Sequence, residues 1–385
     1  MSQPLSGIVI ADFSHVMAGP YATHLLRMLG AEVIKIEPKG GDNFRSYGAD
    51  RRYDGMSPAF IAANAGKKSI ALDLKDDADL AIAQAIIARA NVLIENFRPG
   101  VIDRLGLGYD AARSLRADIV FCSVSGYGQS GPQRDWPAID NIVQATSGMM
   151  MLSGNEGDEP VRVGFPIVDT LTAQTATIAI LSALMRQARG EGGSYIDVSM
   201  LDASLAFMTS ALTPFLVTGS AMPRMGNTGY SGLPTASLFT ARDGRDVSLG
   251  VVQPNQFAAL ARHMNREDWL ADPRFATPDA RRAHFGAMKA ELVREFLARD
   301  AAAWEADLSA AGIPCGMVRR VDEAAALAGD GAMLDLAVPG LPDGEAVRIP
   351  GAGFRMAPDG PGCTAPPPRL DADRAAILAW LDLPG

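Results

Sequence analysis

The residues whose chemistry could matter are few, and one carboxylate stands out by its position. Asp169 lies at the head of an apolar, alanine- and threonine-rich run, VGFPIVDTLTAQTATIAILSALMRQ, residues 163–187. An aspartate just before a helical apolar run is a good N-cap, because its oxygens accept the orphan N–H groups of the first turn. The preceding VGFPIV is apolar and reads as buried, and a carboxylate there is costly unless it has partners or work. On pattern alone both readings stand, a cap and a reacting group.

Other chemistries find less support. The histidines His15, His24, His263 and His284 have no neighbouring metal ligands and read as structural, with His15 the best placed because it follows the first strand. Cys122, Cys315 and Cys363 show no CxxC pairing, so no zinc site is expected and a reducing cytosol fits. No G-x-S-x-G elbow occurs; SVSGYGQSG is glycine-rich but fails the spacing. Phosphate handling is a better prospect. Lys67, Lys68, Lys75, Arg98 and Arg104 fall near the ends of expected strands, where open α/β sheets bind ligands, although solvated surface explains them equally well.

These groups need a scaffold, and the pattern supplies one. GIVIADF, AEVIKIEP, KSIALDL, NVLIENF and ADIVFCSVS read as strands, alternating with helices such as YATHLLRMLG and DADLAIAQAIIARA. Alternation over 125 residues predicts an α/β fold with a parallel, Rossmann-like sheet covered on both faces. SHVMAGP stands where a G-x-G-x-x-G would follow the first strand, so no dinucleotide fingerprint is present.

Further along, LDASLAFMTSALTPFLV reads as one long helix and TGSAMPRMGNTGYSGLPT as a linker or mobile loop. The expected layout is a large domain over 1–205, a linker and active-site loop over 206–235, a smaller α+β domain over 236–321, and 322–385 returning to the large domain.

With 44 Asp+Glu against 35 Lys+Arg the formal charge is −9, which argues against nucleic acid or anionic lipid as a partner. No basic segment followed by a long apolar one opens the chain, and the run 171–185 reads as too short and too polar to span a bilayer. A cytoplasmic protein without a membrane partner is expected.

LSGIVIADFSHVMAGPYATHLLRMLGAEVIKIEP, NAGKKSIALDLK, NVLIENFRPGVIDRLGLGY, VSGYGQSGP, the Asp169 segment and GGSYIDVSMLDASLA together resemble the class III coenzyme A transferases, a family that includes carnitine CoA-transferase and α-methylacyl-CoA racemase. The resemblance implies a Rossmann-like large domain plus a small domain, in a homodimer of two chains threaded like linked rings. It implies coenzyme A or acyl-CoA as a substrate rather than a tightly bound cofactor, and a small carboxylic acid as its partner.

By the same resemblance, the coenzyme is bound through Val16, Met17 and Ala18, through Leu72, Asp73, Leu74 and Lys75, through Asn96, Phe97 and Arg98, and through Arg104 and the loop from Pro137 through Ala138 and Ile139 to Asp140. His15 lies beside the first group, and Lys39 stands next to Pro38, which replaces a family arginine. Asp169 matches the catalytic aspartate, which the family acylates. Tyr47, Arg51 and Arg52 are candidates for holding a second carboxylate of a dicarboxylic acceptor, with surface arginines the competing reading. Tyr230 and Gly232 fall in the segment matching a glycine-rich lid, with Tyr230 and Ser231 in place of two of its glycines. The racemase branch needs a histidine where Ile139 stands, and isoleucine cannot titrate, so transfer is favoured over racemisation. A CoA-binding protein without catalysis, with Asp169 only a cap, is the remaining alternative.

Overall fold

The computed structural model describes residues 3–48, 53–329, 331–338, 341 and 345–384. The chain divides into two compact units: one comprising 1–150, 162–220 and 329–385, the other 151–161 and 221–328. The boundaries fall at 220/221 and 328/329, and the short segment 151–161 joins the smaller unit although it lies inside the stretch expected to be wholly large domain.

The larger unit is built on six strands, β1 (Val9–Asp12), β2 (Glu32–Glu37), β3 (Lys68–Ala71), β4 (Val92–Glu95), β5 (Val120–Ser125) and β6 (Ser194–Ser199). All neighbours pair in parallel, in the order β3-β2-β1-β4-β5-β6. That is the doubly wound order, and it places a switch point between β1 and β4, where connections leave in opposite directions and open a crevice at the strands' carboxyl ends. Around the sheet stand α1 (Ala18–Met28), α2 (Pro58–Asn64), α3 (Asp77–Arg89), α4 (Val101–Arg104), α5 (Tyr109–Leu115), α6 (Asp140–Thr146), α7 (Ile167–Ala188), α8 (Met200–Phe207) and α9 (Thr209–Thr218). One face packs Ile10, Val33, Ile94 and Val124 against Ala22 and Leu26 of α1 and Ala173, Ala176 and Ile180 of α7. The other packs Ile34, Ile70, Leu93 and Phe121 against Ala83, Ile86 and Ile87 of α3. Burial on both faces is why these strands read as continuous apolar runs rather than as alternating ones.

Local chemistry sets the ends of these elements. Asp76 caps α3 by accepting the N–H groups of Ala78 and Asp79, and Ser57 caps α2 with Pro58 at the first helical position. Gly30, at φ 106°, ends the turn after α1. Gly19 in α1 serves close approach instead. A Cβ there would lie 2.3 Å from the Ser14 Cβ, so only glycine lets the helix start this close to the loop after β1.

One edge of the sheet is β3, and residues 371–373 cover it. Asp373 and Asp371 accept the Ser69 and Ala71 N–H groups at 2.9 and 2.8 Å, and the Asp373 N–H donates to the Ser69 carbonyl at 3.2 Å. A two-stranded antiparallel ribbon, Met333–Leu336 with Val347–Pro350, and a helix at Arg374–Trp380 complete the unit.

Two expectations need correction. The stretch read as one long helix is two, α8 and α9, bent by 80° at Met208. Pro214 lies inside the second and leaves the Ser210 carbonyl without its usual donor, and α9 buries none of its residues in this chain. Second, α7 runs for 22 residues with a mean hydropathy of 1.4, so by length and composition it could cross a bilayer. The run 171–185 underestimates it; half of the apolar window is buried within the fold.

The smaller unit carries an antiparallel sheet of β7 (Ala236–Thr240), β8 (Asp246–Gly250) and β9 (Cys315–Met317). Helices including Pro254–His263, Phe285–Phe296 and Ala301–Ala310 pack on it around Phe239, Phe257, Trp269, Phe296 and Trp304.

Candidate active site

The segment after β1 is held from beneath by buried charges. Asp12, in a strand otherwise apolar, takes the Lys67 Nζ at 3.0 Å and the Thr23 hydroxyl at 2.7 Å, and its other oxygen accepts the Ser14 N–H and hydroxyl. Burial pulls the Asp12 carboxyl up, but Lys67 and Lys35 more than offset it and hold it well below the usual range. Burial in turn lowers the Lys67 ammonium to about 8, against the raising effect of Asp12. Beside this pair a second one, Lys35 with Asp42 at 3.0 Å, is also fully buried.

These pairs fix the chain just where it enters the crevice. Lys35 donates to the Ser14 carbonyl at 2.8 Å, and Asp42 accepts the Val16 N–H at 3.1 Å. Asn96, after β4, accepts the His15 N–H and donates to the His15 carbonyl, both at 2.8 Å. Val16 is thereby held at φ 65°, a conformation in which a β-branched residue is strained. The segment is a clamped loop, and α1 begins immediately after it with no side chain capping its first turn. Open N–H groups at a switch point are a ready anion site.

A cavity of about 460 Å³ opens at the carboxyl ends of β1 to β4, lined by Phe13, His15, Pro38, Lys39, Leu72, Asp73, Leu74, Lys75, Phe97 and Leu105 among others. Seven of the residues singled out from sequence therefore meet in one place: His15, Lys39, the run from Leu72 to Lys75, and Phe97. Phe97 lies 5.5 Å from the His15 ring, and burial followed by the charge of Lys35 lowers the His15 pKa. Lys39 is committed to Asp79 at 2.6 Å. Lys75, Arg98 and Arg104 form no ion pair among the described residues, and Arg104 and Arg134 flank Gly100, with Arg134 missed by the sequence reading.

Other assignments change. Lys67 and Lys68 stand at the opposite end of β3 from the crevice: Lys67 is internal and Lys68 pairs with Glu32. Asn96 spends its amide on the His15 backbone, so its part is to hold the loop. Ala18 points into the core, and Met17 is partly buried against the Phe60 cluster. Tyr47 is exposed and rests on Phe44, while Arg51 and Arg52 lie outside the described residues. Tyr230 and Gly232 belong to the smaller unit, where Tyr230 is 85% exposed and Gly232 sits at φ 68°.

Asp169 is not the cap of its helix. The N-cap position of α7 is Pro166 and Asp169 is the third helical residue. An acid there commonly reaches back to the N–H of the N-cap, but proline has none. The N–H groups of Val168 and Asp169 both donate to Asp140 Oδ2, at 2.7 and 3.1 Å, so the capping carboxylate comes from the start of α6. The segment before Asp169 is also more open than its composition suggests, with Phe165 56% exposed. The carboxyl itself is nonetheless desolvated, and burial followed by the charge of Asp140 raises it to about 7.

A half-buried, unbonded carboxylate whose pKa is raised to about 7 can act as a nucleophile or as a proton carrier. Sequence reasoning also missed Gln144, which donates to Asp140 at 2.6 Å, and Glu95, a buried acid at the end of β4 raised to about 7 by its burial. The signal for the buried pairs was Asp12 itself: a charge inside GIVIADF demands an internal cation. Among the described residues no group of three or more His, Cys, Asp or Glu side chains is placed to hold a metal.

Comparison with known proteins fits this geometry. The chain is 38% identical over 379 residues to an acetyl-CoA:oxalate CoA-transferase of Acetobacter aceti, covering 97% of this chain and 95% of the relative. It is 32% identical over 384 residues to a succinyl-CoA:glutarate CoA-transferase of Mus musculus, covering 98% and 86%. The crystal structure of a CAIB/BAIF family protein from Brucella suis superposes with a TM-score of 0.87 at 28% identity, covering 99% of this chain and 100% of that one. The family described as CoA-transferase family III matches residues 5–374, and this chain, a CoA-transferase, belongs to it.

Proposed function

We propose that the enzyme moves coenzyme A from a small acyl-CoA, such as succinyl-CoA, to an organic acid through covalent intermediates on Asp169. The observation that carries this reading is the Asp169 carboxylate, desolvated, free of backbone donors and raised to about 7. Its oxygen attacks the donor thioester carbonyl, the C–S bond breaks, and the coenzyme A thiolate leaves a mixed anhydride. The thiolate then attacks the Asp169 carbonyl carbon and expels the donor acid, giving an aspartyl thioester. The acceptor carboxylate displaces the thiolate to form a second anhydride, and thiolate attack on the acceptor's carbonyl releases the new acyl-CoA and restores Asp169. Each exchange is between groups of similar energy, so no nucleotide is consumed.

The clamped loop of His15, Val16 and Met17, the open start of α1, and Lys75, Arg98 and Arg104 around the 460 Å³ cavity form the coenzyme site in this reading. Named relatives acting on oxalate and glutarate support a dicarboxylic acceptor, with Tyr47, Arg51 and Arg52 as its candidates. α9 leaves Phe215, Leu216 and Val217 exposed, which supports a homodimer in which a second, interlocked copy covers them. The acidic balance argues against nucleic acid as a partner, and three cysteines without CxxC pairing fit a cytoplasmic setting.

Incubation with succinyl-CoA followed by mass spectrometry of the Asp169 peptide tests the mechanism. A coenzyme A adduct is expected in the wild type and none in Asp169→Asn. Full transfer activity in Asp169→Asn would refute the nucleophile. Exchange of the α-proton in deuterated water without any acceptor would favour a racemase instead.

A further inference from the structure

Every amide of the first turn of α7 already has an acceptor. Ile167 donates to the Phe165 carbonyl at 2.7 Å, Thr170 to the Pro166 carbonyl at 3.1 Å, and Val168 and Asp169 to Asp140 Oδ2. A helix start ordinarily draws in the nearest acid, and here it is served by one from 29 residues upstream. These amides are consequently not free to stabilise an oxyanion on the substrate, as a bare helix start would.

The capping carboxylate is itself fixed. Gln144, one turn along α6 and buried, donates its Nε2 to Asp140 Oδ1 at 2.6 Å and accepts the Val163 N–H on its Oε1 at 2.9 Å. The amide cannot be turned round without facing one donor with another. Asp140 is thus held on both oxygens, as an acceptor only, which is the role of an ionised carboxylate.

We infer that Asp140 is the positioning residue of the transfer: by capping α7 in place of Asp169, it leaves the Asp169 carboxylate unbonded and faces it with a fixed negative charge. This rests on the reading of Asp169 as the nucleophile. Attack by Asp169 forms the oxygen–acyl bond, breaks the C–S bond, and moves the negative charge from Asp169 onto the departing thiolate, away from Asp140. The like-charge repulsion of the resting state is relieved in that step, so its effect is differential.

No other group among the described residues does the same. The titratable side chains on the elements packed against α7 are Tyr21, His24 and Arg27 on α1, Cys122 on β5, Tyr195 and Asp197 on β6, and Asp202 on α8. Among the described residues, Asp140 is the group whose charge raises the Asp169 carboxyl.

Enzyme labelled with [4-¹³C]aspartate, with the Asp169 carboxyl signal assigned by its loss in Asp169→Asn, gives a readout independent of turnover. The wild-type signal is expected to titrate near 7. In Asp140→Asn, which keeps an oxygen for the two amides, loses the charge and gives up only the Gln144 bond, it should titrate at least about one unit lower. The acidic limb of kcat/KM should move with it. Asp140→Ala should show the same shift and in addition lose about tenfold in kcat, because the cap is gone and the nucleophile is less well placed. An Asp169 signal that titrates alike in wild type and Asp140→Asn overturns the inference. A shifted signal in an enzyme that forms no adduct on Asp169 overturns the nucleophile reading instead, so the two failures are distinct.

Discussion

Replacing Asp169 by asparagine should stabilise the protein, and the gain should depend on pH in a way its position dictates. In the fold the carboxyl is raised from 3.8 to about 7 by burial and by Asp140. Between those values the native state holds a proton that the unfolded chain has released, so native stability falls as pH rises through the window and the full penalty is felt above about 7. A shift of about three units corresponds to roughly 4 kcal/mol at about 1.4 kcal/mol per unit, and partial solvent access reduces this to on the order of 2 kcal/mol. Asparagine has nearly the same shape and no charge. Near pH 4.5, where roughly a quarter of the penalty is already present, the variant should melt only about 1–2 °C higher, and above about pH 7 about 4–8 °C higher, at roughly 2–4 °C per kcal/mol for a unit of this size. Paired calorimetric scans from pH 4.5 to 8.5 measure the difference, in which the titration of Glu95, His24 and Lys67 cancels. A difference in Tm that stays constant across this range would show that Asp169 carries no burial penalty and would remove the basis for its reactivity.

Three further outcomes follow from the same structure. Lys67→Met should strand the Asp12 charge and cost about 3–5 kcal/mol, seen as a loss of the folded state or a large drop in the urea midpoint. Val16→Gly should relieve the left-handed strain and raise stability by about 1 kcal/mol, since the valine side chain is 45% exposed and little packing is lost; an unchanged or lower Tm would count against the strain. If Arg104 belongs to the proposed coenzyme site, Arg104→Ala should raise the KM for acyl-CoA by about tenfold while leaving kcat within about twofold, because a phosphate contact there would be lost equally from ground and transition states. A kcat effect of the same size as the KM effect would place the arginine at the chemistry instead.

What could be read from the sequence was whatever depends on near neighbours along the chain. The parallel sheet was legible because its strands are buried on both faces, and GIVIADF or NVLIENF can hardly be anything else. Seven of the proposed coenzyme residues meet because each follows a strand and the topology brings strand ends together. What escaped was decided by partners far away. Asp169 obeys the local rule for a cap, yet Asp140, 29 residues earlier, occupies the amides it would have used. Pro166 was the local hint, since a proline at the N-cap denies an acid at the third position its usual return bond. Lys67 read as a phosphate-handling or solvated cation because the doublet Lys67-Lys68 is polar, and its partner Asp12 lies 55 residues away. The bend at Met208 carries no local signal of that kind: its two flanks share one composition, and the exposed apolar side chains of α9 were visible only as a continued helix.

The chain's own end covers β3, and this has a consequence in time. Ser69 and Ala71 emerge early in synthesis, but the aspartates that receive their amides follow 304 and 300 residues later. At about 5–20 residues per second that interval is roughly 15–60 s. Throughout it the nascent sheet presents an open ladder edge, the surface on which one polypeptide recruits another. This stretch of the β3 edge therefore cannot be closed before residues 371–373 are made, and a ribosome that stops short of Asp371 releases a chain whose six strands are complete while β3 is still unsealed.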